Sequence, residues 1–258
     1  MLKRALRNLD KRFLGGATQR SRLLRRRQAD VKVSELRTSE KIYTFYNKNN
    51  TSEMAQLCDK YGSDKGSIKS KGHAYRWTPH SYTDFYSRTF AHCRSAVRKV
   101  FECGLGTNNP ELNSSMGVSG RPGASLRVWR DYFPEAIVFG GDIDKDILFE
   151  EERIKSFYVD QLDPKSIASF WLKVGEDDFD LMIDDGLHTF EAGTSLFSHS
   201  VGFLAETGIY VIEDVLRDDL LRYKIFFESF NYFVDYVAMF RPGHSLGDNS
   251  LIIIRKKL

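Results

Sequence analysis

Residues 179–188 read FDLMIDDGLH: a short apolar segment, two adjacent carboxylates, a glycine and an imidazole. A run this short, bounded by turn-forming residues, suits a strand buried on both faces better than a helix. Carboxylates are rarely left at the mouth of a buried strand without a partner, so Asp184, Asp185 and His188 mark a place where the fold must supply one. The same pattern recurs on either side. Upstream, VRKVFECGLG (97–106) is an apolar strand entering a glycine turn, AIVFGGDID (136–144) a second strand ending in acids, and SFYVDQLD (156–163) a third. Downstream, GIYVIEDV (208–215) is a fifth, followed by YFVDYVAMF (232–240) and SLIIIRKK (250–257). Helical patterns fall between them, in SLRVWRDYFP (125–134), SIASFWLKV (166–174), TFEAGTSLFSHSVGFL (189–204) and DDLLRYKIFFESF (218–230). Strands alternating with helices, several of them continuously apolar, imply an α/β fold: a Rossmann-like, doubly wound and mostly parallel sheet covered on both faces. The last two segments, joined by RPGHSLGDN, are expected to pair as an antiparallel hairpin at one edge.

The remainder of the chain divides by composition. At 258 residues, 41% hydrophobic, it suits one large domain with appendages. The formal charge of +3 is unevenly spread, since residues 1–30 carry ten Lys/Arg against Asp10 and Asp30, which leaves the remainder mildly acidic. Residues 1–50 therefore read as a basic arm and linker. Within it Leu2, Ala5, Leu6, Leu9 and Phe13 fall at helical spacing opposite Lys3, Arg4, Arg7, Lys11 and Arg12. Such a helix can rest on an anionic membrane surface or pack on a partner subunit. Few aromatics accompany these charges, so no nucleic-acid partner is expected. Residues 51–96 read as a helical lid, with Ser52 capping a helix in SEMAQLCDKYGSDKG and a second helix starting near Tyr82. Residues 97–258 form the α/β domain. Cys58, Cys93 and Cys103 form no CxxC motif, and neither a signal peptide nor a membrane span is visible. The expected location is the cytoplasm, with contact at the inner membrane face through the arm.

In an open parallel sheet, ligands sit outside the carboxyl ends of the strands where strand order reverses. The informative residues cluster there: Glu102, Gly104 and Gly106; Asp142 and Asp144; Asp160 and Gln161; Asp184, Asp185 and His188; Glu213 and Asp214. Gly104 and Gly106 allow close backbone approach to a ligand. Asp142 suits a bidentate hold on ribose hydroxyls, a device shared by NAD and S-adenosylmethionine sites, and Asp160 with Gln161 suits an adenine amino group. Asp185, Glu213 and Asp214 offer oxygen ligands for a hard divalent cation such as Mg²⁺ or Mn²⁺. Such an ion acidifies a coordinated hydroxyl, and His188, three residues beyond Asp185, is placed to take the proton. An NAD-dependent oxidoreductase fits less well. The third glycine of the fingerprint is missing, and 36 residues rather than about 20 separate Gly106 from the acid. A redox iron site needs a second histidine among the acids, and none is visible. A non-catalytic binding module would keep the pocket without needing the acid–imidazole cluster.

The blocks YGSDKG with His73 and Tyr75, FECGLG, SLRVWRDYFPEAIVFGGDID, DQLD, FDLMIDDGLH and GIYVIEDV together resemble the class I S-adenosylmethionine-dependent O-methyltransferases of the macrolide-sugar and rhamnosyl type, grouped by sequence with cephalosporin hydroxylase-like proteins. The likeness runs from about Tyr61 to the C-terminus. It implies that Glu102, Gly104 and Ser125 surround the methionine part of the cofactor, that Asp142 takes the ribose, and that Asp160 and Gln161 take the adenine. It also implies that Asp185, Glu213 and Asp214 hold a metal with Asp184 in support, that His188 is the general base, and that Tyr61, Asp64, Lys65 and His73 belong to a lid. The implied activity is methyl transfer to a hydroxyl of a sugar or nucleotide-linked metabolite in surface-polysaccharide or natural-product biosynthesis, by a homo-oligomer. A phosphate or phosphoramidate oxygen of a capsule precursor is the alternative acceptor. Two departures stand out: the glycine loop is extended through residues 107–120, and there is no room for a large N-terminal auxiliary domain.

Overall fold

The computed structural model describes residues 41–45, 51–241, 243, 244 and 246–257. The residues from Ile42 onward belong to one compact unit. The basic amphipathic segment expected over residues 1–14, and the charge run after it, lie outside the described residues. Among the described residues no helix is long and apolar enough to cross a membrane.

The strands are β1 (Lys41–Phe45), β2 (Lys99–Cys103), β3 (Ile137–Asp142), β4 (Glu150–Glu151), β5 (Ile154–Tyr158), β6 (Phe179–Asp184), β7 (Leu204–Ile212), β8 (Tyr232–Phe240) and β9 (Ser250–Lys256). They form one sheet in the order β1-β8-β9-β7-β6-β2-β3-β5-β4. β2 pairs in parallel with β3 on one side and β6 on the other; β3–β5 and β6–β7 are also parallel. Chain order therefore runs outward from β2 through β3 and β5, then returns to β6 and runs outward the other way. The reversal opens a crevice beyond the carboxyl ends of β2 and β6, the position where such sheets bind ligands. The expected C-terminal hairpin forms, but β9 lies between β7 and β8 and pairs antiparallel with both.

Among the described residues the α-helices are α1 (Glu53–Tyr61), α2 (Thr83–Phe90), α3 (Ala124–Tyr132), α4 (Pro164–Val174), α5 (Phe190–Ser200) and α6 (Leu220–Phe227). Ser52 caps α1 by accepting from the Ala55 N–H, and Gly62 closes it in the left-handed region at φ 94. Asp163 caps α4 with Pro164 at its first turn, so the third strand-end sequence DQLD doubles as a helix start. On one sheet face Met54, Tyr86, Leu126 and Trp129 from α1, α2 and α3 bury against Val100, Leu181, Val211 and Ile253. On the other, Phe101 meets Phe170 of α4 at a tilt and Trp171 edge-on, and Phe197 of α5 packs edge-on against Tyr210. The alternation along β2 follows directly: Val100 and Glu102 face the first layer, Phe101 and Cys103 the second. Residues 51–96 belong to the same compact unit as the sheet.

Candidate functional site

Three strand ends meet where the glycine turn leaves β2. Gly104 adopts φ +94, and a Cβ there would stand 2.0 Å from the Asp185 carbonyl oxygen, so only glycine lets β2 and β6 exit this close together. Asp142, at the end of β3, accepts the Leu105 N–H at 2.7 Å through Oδ2 and the Asp144 N–H at 2.8 Å through Oδ1. It thereby fixes the turn's shape, and burial pushes its carboxyl up from the ordinary value. Gln161, just past β5, ties the next wall together. Its amide donates to Asp184 Oδ1 at 2.5 Å and its carbonyl accepts the Leu187 N–H at 2.8 Å.

The partner of the strand-end acids comes from far upstream. Lys65, only 2% exposed, reaches between three strand ends. Its Nζ donates to Asp185 Oδ2 at 2.5 Å and to Glu213, and lies 3.1 Å from Glu102 Oε1. Burial alone would lower the lysine, but the charges of Asp185, Glu213 and Glu102 raise it well above its ordinary value. Asp185 is held well below the usual carboxylate range: burial opposes this, and Lys65 and His188 outweigh it. Glu213 is buried, and burial pushes it up; its other oxygen accepts from the Tyr86 hydroxyl at 2.6 Å. Glu102 accepts from Trp129 Nε1 at 2.9 Å, and Ser125, in the first turn of α3, bonds the same carboxylate.

With its Oδ2 on Lys65, Asp185 presents Oδ1 to His188 Nε2 at 3.3 Å, while His188 Nδ1 lies 3.6 Å from Asp214 Oδ2. Burial would lower the imidazole, but Asp214 and Asp185 push it up to about 10. His188 and Asp214 both adopt left-handed backbone, at φ 58 and φ 52. This conformation costs a residue with a Cβ of order 1 kcal/mol or more, and here it aims two side chains at the same point. Asp214 is gripped from residues 80–82: the Tyr82 hydroxyl donates to its Oδ1 at 2.6 Å, and His80 Nδ1 lies 3.3 Å away. Asp185, His188 and Asp214 each offer one ligand atom, and these atoms lie within 4.8 Å of one another.

These groups border a cavity of about 280 Å³. Of the residues singled out from sequence, Gly104, Gly106, Asp142, Asp160, Gln161, Asp185, His188 and Asp214 line it, as does Asp64, whose carboxylate accepts from Trp77 Nε1 at 2.6 Å. Lys65, Glu102, Ser125, Asp184 and Glu213 are buried, outside the residues that line it. Tyr61 turns elsewhere, its hydroxyl bonded to Asp131 and, at 2.7 Å, to Lys60. His73 pairs with Asp59 at 3.4 Å. Sequence reasoning missed His80, Tyr82 and Tyr86. Their partners are more than a hundred residues away, so no local spacing announces them. A signal did exist in the polar–aromatic run HAYRWTPHSYTDFYSRTF, too rich in hydroxyls and imidazoles for a helix that only packs.

Comparison with known proteins adds the following. No family model matches the chain. It is 32% identical over 162 residues to an 8-demethyl-8-alpha-L-rhamnosyl tetracenomycin-C 2'-O-methyltransferase of Streptomyces olivaceus, covering 63% of this chain and 37% of that one. It is 31% identical over 167 residues to a demethylmacrocin O-methyltransferase of Streptomyces fradiae, covering 64% and 40%. The chain thus spans well under half the length of the curated relatives it matches. Among solved structures, the MycE methyltransferase of the mycinamycin biosynthetic pathway, in complex with Mg, SAH and mycinamycin VI, superposes with a TM-score of 0.55 at 22% identity, over 80% of this chain and 55% of that one. The resemblance drawn from the sequence blocks therefore stands, and the doubly wound sheet is shared with a methyltransferase fold.

Proposed function

We propose that this chain is a divalent-cation-dependent O-methyltransferase that uses S-adenosylmethionine to methylate a hydroxyl of a sugar or sugar-bearing small molecule. The observation that carries this reading is the convergence of Asp185, His188 and Asp214 on a cavity that the glycine turn also lines. The relatives' activities, and the SAH and Mg of the structural neighbour, lend it support.

The residues fit both groups. Asp64, Asp142, Asp160, Asp185 and Asp214 give the cavity an acidic lining that favours a cationic sulfonium. Gly104 and Gly106 bring bare backbone to its floor, and Asp142 keeps them in register. S-adenosylmethionine supplies the methyl group on a sulfonium leaving group. For the ion, Asp185 and Asp214 offer hard oxygens suited to Mg²⁺ or Mn²⁺, and His188, between them, is kept as the base. A bound cation supplies a Lewis acid that lowers the pKa of the acceptor hydroxyl. Glu213 stands beside the pair, and Lys65 must release it before it can join the ligand set.

His188 holds its proton in this arrangement because two carboxylates face it. A cation held by those carboxylates would offset the charges that keep the imidazole protonated, and would leave His188 able to accept a proton. The acceptor oxygen gives its proton to His188 and attacks the methyl carbon. With S-adenosylmethionine held there, the O–C bond would form as the S–C bond broke, and S-adenosylhomocysteine would be the product. Alignment of the two reactants by the cavity walls contributes much of the rate.

The test is transfer of an isotopically labelled methyl group from S-adenosylmethionine to a panel of deoxysugar glycosides and nucleotide sugars, with and without chelator. Metal-dependent labelling of one of these acceptors is the expected result. Absence of both labelling and S-adenosylmethionine binding would count against the proposal.

A further inference from the structure

The extended glycine loop has a built form. After Gly106, Thr107 O accepts the Met116 N–H at 2.8 Å and the Ser115 hydroxyl at 3.2 Å, so residues 107–116 leave the turn and return to the same point. This neck is tethered to the end of β3, since the Thr107 hydroxyl donates to Asp144 Oδ2 at 2.5 Å. Glycines in the left-handed region flank it, Gly106 at φ 78 and Gly117 at φ 72, and a Cβ on Gly117 would meet nothing within 4 Å. Leu112, Asn113 and Ser114, beyond the neck, and Met116 at it line the cavity. A compact loop with joined ends, glycines at both sides of its neck and four residues on a ligand cavity has the parts of a hinged cover.

We propose that residues 107–116 form a movable wall over the cofactor cavity. In it Leu112 and Met116 exclude water from the bound nucleoside–amino acid, Asn113 gives it a polar contact, and the Thr107–Asp144 tether sets the closed position. The proposal rests on the assignment of this cavity to S-adenosylmethionine and S-adenosylhomocysteine. It gives the loop the task of slowing cofactor release while the acceptor binds.

Glu111, exposed on the loop, provides a cleavage site for a glutamate-specific protease. In the wild-type protein, saturating S-adenosylhomocysteine is expected to slow cleavage at Glu111–Leu112 at least tenfold, read by mass spectrometry. Equal cleavage with and without bound ligand would overturn the proposal. In stopped-flow release experiments, L112S/M116S and T107V are each expected to release S-adenosylhomocysteine at least tenfold faster than wild type. Release within twofold of wild type in both would overturn it as well. Calorimetry on the wild-type protein separates the two levels. No S-adenosylhomocysteine binding at all refutes the functional assignment, whereas normal binding with an indifferent loop refutes only the movable wall.

Discussion

Replacing Lys65 with methionine removes one ammonium from a buried cluster while keeping the length of the side chain. In the native protein that ammonium touches Asp185 and Glu213 and lies 3.1 Å from Glu102. Breaking a buried ion pair by removing one partner typically costs about 3–5 kcal/mol, because the other charge is left uncompensated. Two features of this cluster place the expected loss at the lower end, about 3 kcal/mol. Burial already pushes Glu102 and Glu213 up, so both can take a proton when the lysine is gone. Asp185 keeps His188 at 3.3 Å as a second partner. Urea unfolding followed by far-UV circular dichroism, in chelator, reads the loss directly. With a slope near 3 kcal/mol per molar urea, the midpoint moves down by about 1 M. A loss under about 1 kcal/mol would refute the reasoning, because the three strand-end acids would then not depend on the lysine for their charge balance.

Gly104→Ala is expected to cost about 3 kcal/mol or more and to abolish cofactor binding, since the added methyl collides with a backbone oxygen at 2.0 Å in a left-handed position. Melting temperature and calorimetry check both, and near-native values in both would contradict the close approach of β2 and β6. The peripheral ion pairs contribute to the pH dependence at the acid end, beside Asp185. Arg94 lowers the Glu53 carboxyl and Arg127 with Arg130 lowers Glu151, so folded values lie below the unfolded ones. Their contribution is complete above the unfolded carboxylate range near pH 4.3 and disappears as pH falls through the depressed folded values. The melting temperature should therefore fall between pH 5 and pH 3, and R127Q should flatten that fall, whereas an unchanged slope in R127Q would contradict the assignment.

The fold was legible because its signal is local and repeated. Five apolar segments each ending in acid or glycine, with amphipathic stretches between, leave little besides a parallel sheet open at its carboxyl ends. The places where structure departs from that reading are non-local. Nothing in SLIIIRKK says that β9 inserts between β7 and β8 rather than lying outside them, since an apolar run fits an interior position on either side. β4 has two residues, too few for any periodicity. At the site, the acids announced themselves by standing at strand ends, but their partners did not. Lys65 reads as one charge in a polar turn, and its contacts lie 120 and 148 residues away at Asp185 and Glu213. Tyr82 similarly meets Asp214 across 132 residues. The left-handed backbone at His188 and Asp214 carries only a faint sequence mark, since Asp and His adopt it more readily than most side chains but far less than glycine.

The central claim, that strand-end carboxylates and one imidazole serve a cation beside a sulfonium site, is tested most directly by anomalous scattering from a crystal grown with Mn²⁺ and S-adenosylhomocysteine. The account predicts a manganese peak bonded to oxygens of both Asp185 and Asp214, with the ligand against the Gly104–Gly106 turn. Full occupancy of the ligand with no manganese at either carboxylate would contradict it.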